Sequence, residues 1–354
     1  MGNTQNCIVA SLSVCSTYLF YHYIYCSYQS LKTNVLSGDK LPSFVYLYVK
    51  YLTGLVTRRT GHLYTDTLTK TPAIVYTILN CRLESSLMRR FCCAAGYGWD
   101  YPDTDFRDIP LCFPEILCCK LLLMLLTDGN FRLSPAGLVR VRQTVKSLQP
   151  VDELKKGPFM LQVRVLQYEQ TATGVEVDIC LSATSRSGCL VWESILTLLS
   201  KKPPYTASGC LAKNEDKCCG LPDEPGRENL KQVELQVPRT IGLQCVWSFS
   251  DYSPHWLCSL PARLFGFRSQ IAPPLWMLSV CLAEIEKHKG VDVVTAPVNV
   301  TAHFKDPLVV PGKVLLRFWD ETKNVGQSSG KNLSFQMEQQ GHNICHIVGL
   351  ISRL

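Results

Sequence analysis

The chain has 354 residues, 46% of them hydrophobic and 18% charged, enough to bury one large core or two packed halves. Its 36 basic and 29 acidic residues leave a formal charge of +7, spread without the basic run that tracks phosphates, which argues against a nucleic-acid partner. The eighteen cysteines include three adjacent pairs (Cys92-Cys93, Cys118-Cys119, Cys218-Cys219) but no Cys-x-x-Cys. Adjacent thiols do not readily share one tetrahedral metal ion, so no metal site is expected and the thiols read as free, reduced and buried, in a compartment facing the cytosol.

In chain order, Cys7 to Cys26 carries no Asp, Glu, Lys or Arg. As a helix it would span about 30 Å, the thickness of a bilayer's hydrocarbon core. Tyr18, Tyr21, Tyr23, Tyr25 and Tyr28 crowd its far end, as rings do at a membrane interface, and Lys32, Lys40, Lys50, Arg58 and Arg59 follow it. Residues 1–30 are therefore expected to anchor the chain in a membrane, with the remainder in the cytosol; a buried core helix is the plainer alternative. Residues 31–105 read as a connecting helical region, in which Phe44 to Val56, interrupted by Lys50, suits an interfacial or packing helix.

Pro114 to Thr127 is apolar on all sides and about four turns long, which predicts a buried helix, with Glu115 near its start where the helix dipole favours a carboxylate. Strands are expected at Leu138 to Val145, Phe159 to Tyr168, Val175 to Ala183 and Cys189 to Leu199, the third from strict alternation of apolar and polar residues. Residues 106–200 would form one unit. The stretch 201–231, rich in Pro, Gly and charge, reads as a linker. The same order then repeats over 232–354: strands at Val233 to Val237 and Leu243 to Phe249, an amphipathic helix at Leu275 to Lys287 with Leu275, Leu278, Leu282 and Ile285 on one face, then strands at Val293 to Phe304, Val314 to Trp319, Leu333 to Glu338 and Ile344 to Ile351. Two α+β units related by duplication follow from this order, although pattern alone selects no particular fold.

Ser250 to Leu278 reads SDYSPHWLCSLPARLFGFRSQIAPPLWML. It resembles, without gaps, the signature of MaoC-like double-hotdog proteins, GDYNPIHL followed by ARLFGF and IAHGMW. Asp251, Tyr252, Pro254, Leu257, Ala262, Arg263, Leu264, Phe265, Gly266, Phe267, Ile271, Ala272 and Trp276 fall on matching positions. Ile109 to Val139 and Leu190 to Thr197 look like the first half of such proteins, so the resemblance covers roughly 85–354. It implies an α+β double hotdog, two curved antiparallel sheets each wrapping a helix. It also implies water addition to, or removal from, acyl thioesters, without a cofactor. The expected partner is a fatty-acyl thioester on CoA or an acyl carrier, besides the membrane, with self-association an option.

That reaction needs a base for the water attacking C3, an acid for C2, and N–H donors on the thioester carbonyl. The family supplies these from the Asp and His of D-x-N-P-x-H and from the Gly of I-A-H-G. Here Asp251 keeps the acid, but Ser253 replaces Asn and Trp256 stands where the His belongs; Pro273 and Pro274 replace the second His and the Gly. Trp exchanges no proton near neutral pH and Pro has no N–H. His255 lies one position early and would face away in an extended loop unless a bulge turns it inward. Asp251 and His255 are the candidate catalytic residues, and Ser253, Trp256, Arg263, Phe265, Gly266, Ala272 and Trp276 the candidate substrate-binding ones. Asp251 could equally cap a loop amide, and the tryptophans could fill core. His303, His342 and His346 read as strand residues. Three functions remain open: an acyl-thioester-binding protein with weak or no hydratase activity, an active hydratase using Asp251 and His255, or a structural subunit.

Overall fold

A computed structural model of the chain describes residues 14, 17–18, 21–38, 41–64, 74–98, 109–135, 137–202, 227–241, 244, 270–321, 332–341 and 344–354. Its elements run α1 (Cys26–Ser30), β1 (Val35–Ser37), α2 (Phe44–Thr57), β2 (Val75–Cys81), α3 (Ser85–Ala94), α4 (Phe113–Leu126), β3 (Leu138–Ser147), β4 (Phe159–Gln170), β5 (Gly174–Thr184), β6 (Leu190–Lys201), β7 (Arg227–Val237), α5 (Pro274–Lys289), β8 (Val298–Phe304), β9 (Gly312–Glu321), β10 (Asn332–Gln339) and β11 (Cys345–Arg353).

The strands form one sheet in the order β1-β2-β4-β5-β6-β3-β8-β11-β10-β9-β7. Within it the two halves repeat. Helix α4 follows β2 and precedes β3 to β6, the five being arranged β2-β4-β5-β6-β3; α5 follows β7 and precedes β8 to β11, arranged β7-β9-β10-β11-β8. Each half thus gives one helix to one antiparallel five-stranded unit, the hotdog arrangement made twice. The halves join where β3 pairs antiparallel with β8, Gln143 opposite Ala302 and Val145 opposite Val300. All four of these side chains are buried, so the inner faces of the two units run together into one core.

Both central helices are punctuated by proline, which suits a first turn where the missing N–H costs no intrahelical bond. Pro114 lies in the first turn of α4 and Pro274 opens α5. The structure corrects one expectation. Helix α5 is not amphipathic in its surroundings: every residue from Leu275 to Ala283 is buried, not only the row Leu275, Leu278 and Leu282. A helix enclosed by a sheet and by other helices has no solvent side, and the small residues Ser279, Cys281 and Ala283 let its other faces approach their neighbours.

Most expected strands match the observed ones to within a few residues. Residues 31–105, read as helical, also supply β1 and β2; β2 pairs antiparallel with β4, Tyr76 opposite Val163, so the first half's sheet starts at Val75. Strand β7 begins at Arg227, inside the stretch read as linker, while 203–226 and the strand expected at 243–249 (Gln244 apart) lie outside the described residues.

Most of the expected anchor, 1–30, also lies outside them. Its described end is a π-helical turn, Tyr21–Tyr25, running into the five residues of α1. Ser27 is buried there, and its Oγ accepts a hydrogen bond from Ser43 N at 2.8 Å, tying α1 to the start of α2. Among the described residues no helix is long and apolar enough to cross a membrane, so the structure lends the spanning expectation no support.

Gly349 on β11 lies opposite Phe335 on β10. A Cβ on Gly349 would come within 2.1 Å of Phe335 Cζ, so the ring lies flat over the glycine. Phe335 is fully buried and cannot swing aside without repacking. Gly349→Ala should therefore lower stability by about 1–3 kcal/mol, the usual cost of overpacking, measured by urea denaturation; an unchanged midpoint would show that the ring moves freely.

Candidate functional site

Of the candidate residues, Asp251, Ser253, His255, Trp256, Arg263, Phe265 and Gly266 lie outside the described residues, as does His342. Ala272, Pro273, Pro274 and Trp276 are described, and they build the start of α5.

The chain enters this helix pinned to the segment before β9. Val310 N donates to Gln270 O at 3.0 Å and Ala272 N to Leu308 O at 2.8 Å, with Ile271 bridged to Val309. Pro273 is the N-cap, extended at φ −63° and ψ 137°, with no side-chain cap. Met277 N donates to Pro273 O at 3.1 Å as the helix begins. An unblocked helix start normally offers several amides to a ligand. Here the amide of the first helical residue is missing because Pro274 occupies it, leaving those of Leu275 and Trp276 ahead of Met277. Ala272 is 2% exposed. Trp276 is also buried, and its indole N–H donates to Ala94 O, the end of α3, at 3.0 Å. The indole's one donor is thus spent on tying α5 to α3.

Sequence reasoning missed a second polar centre, on α4. Glu115 is 2% exposed. Arg140 pairs with its Oε1 at 2.6 Å, and Gln143 Nε2 donates to its Oε2 at 2.5 Å. Arg140 also donates to Gln143 Oε1 at 2.8 Å, and Gln143 Nε2 approaches Ser194 Oγ at 3.2 Å. Arg140 and Gln143 are three apart and would face opposite ways on a regular strand. A bulge between Arg140 and Arg142, where β3 pairs with β6, turns both toward the helix. The available signal was Glu115 itself, because a carboxylate in an otherwise apolar buried helix needs a partner.

Four cysteines in and beside the central helices and α3 are held as neutral thiols. Burial pushes Cys112 and Cys92 up to about 12, and holds Cys118 and Cys281 well above the ordinary thiol range, so all four stay protonated near neutral pH. Among the described residues no cluster of His, Cys, Asp or Glu is arranged to hold a metal ion. His303 and His346 are in strands, as expected. His346 Nδ1 lies 2.9 Å from Asp306 O, while its buried Nε2 has no partner. Clefts open among the described residues. One of about 20 Å³ is bordered by Ile109, Leu111, Val151, Glu286 and Val294, where the halves meet. One of about 210 Å³ lies between α2 and the end of α4, bordered by Lys50, Arg58 and Asp128. Neither reaches the first turn of α5.

No family model matches the chain, and no curated protein does. Solved structures do. HtdX of Mycobacterium tuberculosis superposes with a TM-score of 0.60 at 16% identity, over 79% of this chain and 100% of that one. A MaoC-like dehydratase from Phytophthora capsici gives 0.59 at 15% identity, over 82% of this chain and 99% of that one. The full-length peroxisomal multifunctional enzyme type 2 from Drosophila melanogaster gives 0.57 at 16% identity, over 90% of this chain and 57% of that one. The fold is thus the double hotdog of MaoC-like dehydratases, as the Ser250 to Leu278 stretch implied.

Two measurements check this description. Arg140→Met leaves the Glu115 carboxylate buried and unpaired and should cost about 3–5 kcal/mol, whereas Glu115→Leu with Arg140→Met should recover most of it; equal losses for both variants would mean that the ion pair is not the determinant. Burial, opposed more weakly by Asp306, holds the His346 imidazole below its ordinary value of 6.5. The folded state then binds fewer protons than the unfolded one just below that value, so His346's contribution is complete above about pH 6.5 and is lost as the pH falls. Melting temperature should decline more steeply with acidification in the natural chain than in His346→Gln; identical slopes would refute a buried neutral imidazole.

Proposed function

We propose that this chain is a MaoC-like protein of fatty-acyl metabolism that binds acyl thioesters, on CoA or an acyl carrier, with little or no hydratase activity. The observation that carries the reading is the start of α5. A double hotdog that hydrates an enoyl thioester needs donors where charge develops on the carbonyl oxygen. At the matching position this helix presents Pro273 as an uncapped N-cap and Pro274 without an N–H, and Trp276 has its indole donor engaged by Ala94. The sequence adds Trp256 where the motif has its proton-transferring His, and Ser253 where it has Asn. A general base is worth about 10²–10⁴ in rate and one oxyanion donor about 10²–10³; losing either makes the ordinary reaction slow.

Asp251 would remain to orient a polar group of the ligand, and Arg263, Phe265, Gly266 and Ala272 to shape its surroundings. The double-hotdog likeness to dehydratases supports the ligand class. The hotdog units are proposed to face the cytosol, supported by the free thiols of every described cysteine.

The test is hydration of short and long trans-2-enoyl-CoA by the full chain, with acyl-CoA binding measured by calorimetry in parallel. Binding with turnover well below about 1 s⁻¹ is expected, under the ordinary enzyme range. Turnover in that range would install the alternative, a working hydratase through Asp251 and His255. Absence of any acyl-CoA binding would leave a structural role. Trp256→His with Ser253→Asn and Pro274→Gly should raise turnover if the missing groups are the cause; no gain in a folded variant counts against that explanation.

A further inference from the structure

Helix α2 has two apolar faces, and only one of them is used. Leu47, Tyr51 and Gly54 face inward: Leu47 is fully buried, the Tyr51 hydroxyl donates to Pro135 O, and Gly54 lies against the Pro135 ring. The opposite row is Val45, Val49, Leu52 and Val56, spaced by four, three and four residues. Those side chains are 58%, 55%, 38% and 88% exposed, a continuous apolar stripe in water.

The stripe has a neighbour of matching character. The π-helical turn Tyr21–Tyr25 packs against α2, and Ser27 fixes α1 to the helix start through Ser43. Tyr18, Tyr21, Tyr25 and Tyr28 are all about half exposed or more. Tyr21 and Tyr25 stack at 5.6 Å, and Lys32 Nζ sits 4.9 Å from the centre of the Tyr28 ring. Tyrosines with an apolar body and a polar tip, beside aliphatic side chains, suit the boundary between headgroups and acyl chains. The charge is one-sided as well. Residues 1–64 hold five basic groups against one acid, Asp39; Lys50 and Arg58 turn toward α4, Arg58 onto the carbonyls of Gly129, Phe131 and Leu133, while Lys32 and Arg59 are exposed.

We propose that this face is a membrane-docking surface: α2 lies in the plane of an anionic phospholipid leaflet, its valine row among the acyl chains and the exposed Lys32 and Arg59 among the headgroups. The geometry is that of an interfacial helix, not a spanning one. A second copy of the chain fits less well, because a two-fold interface would bring the same basic residues against each other. The surface lies apart from the start of α5, so it stands independently of the acyl-thioester reading. A lipid-associated ligand would nevertheless reach such a protein most readily at a bilayer.

The experiment is co-sedimentation of the full chain with phosphatidylcholine vesicles, with and without phosphatidylserine, for the natural sequence and for Val49→Asp with Val56→Asp. Both substituted positions are exposed, so the melting temperature and acyl-CoA binding should not change. The natural chain should bind the anionic vesicles, weaken steeply with salt, and be stripped by alkaline carbonate. The double variant should bind about tenfold or more weakly, from lost burial of two valines. The proposal fails if the natural chain ignores anionic vesicles, or if the variant binds as well as it does. It fails equally if binding survives carbonate, which would place the attachment in a spanning segment, or if the variant changes only the oligomeric state.

Discussion

The antiparallel pairing of β3 with β8 is the contact on which the rest of the molecule depends. Each five-stranded unit would otherwise end in an open edge of unpaired amides and carbonyls, and this pairing closes both at once. Its register sets Val145 against Val300 and Gln143 against Ala302, so buried side chains continue across the joint without a change of face. A slip by one residue would turn every one of them outward. The same register brings the central helices together. Cys112, just before α4, interacts with Ser279 of α5, and it lies close enough to Cys281 to raise that thiol further.

Duplication did not leave two equal halves. After the proline of its first turn, α4 continues with Glu115, held by Arg140 and Gln143 through a bulge in β3. After its own proline, α5 continues with Leu275, packed in the core. One half spends its helix start on a closed, fully partnered ion pair and the other on apolar packing. At the start of α5 the amides of Leu275 and Trp276 remain, while Pro274 supplies none. A buried charge network of this kind adds little net stability, yet it is costly to break.

Helix α2 lies outside this frame and follows a different rule. Its inward row is buried at Leu47 and Tyr51, while its outward row stays exposed. An aliphatic stripe kept in water makes physical sense only when something other than water meets it, and the one-sided charge of the first 64 residues narrows what that can be.

The sequence by itself determined the order of elements, the duplication, the buried character of α4 and the double-hotdog frame. These are written in short-range signals: the alternation in β5, the all-round apolar run of α4, and the block from Ser250 to Leu278. It determined equally that Pro273, Pro274 and Trp256 depart from the motif, since identity needs no coordinates. What it could not carry is whatever depends on partners distant in the chain. The burial of α5 on every side arises from elements far away in sequence, Ala94 among them, and periodicity within one helix reports only its most apolar face. Glu115's pairing required a bulge 25 residues downstream, β2 joined the sheet through a strand more than 80 residues later, and the two faces of α2 were told apart only by what packs on one of them. Local residue order sets local conformation; which surfaces meet, and which stay in water, is settled only when the whole chain competes for the same core.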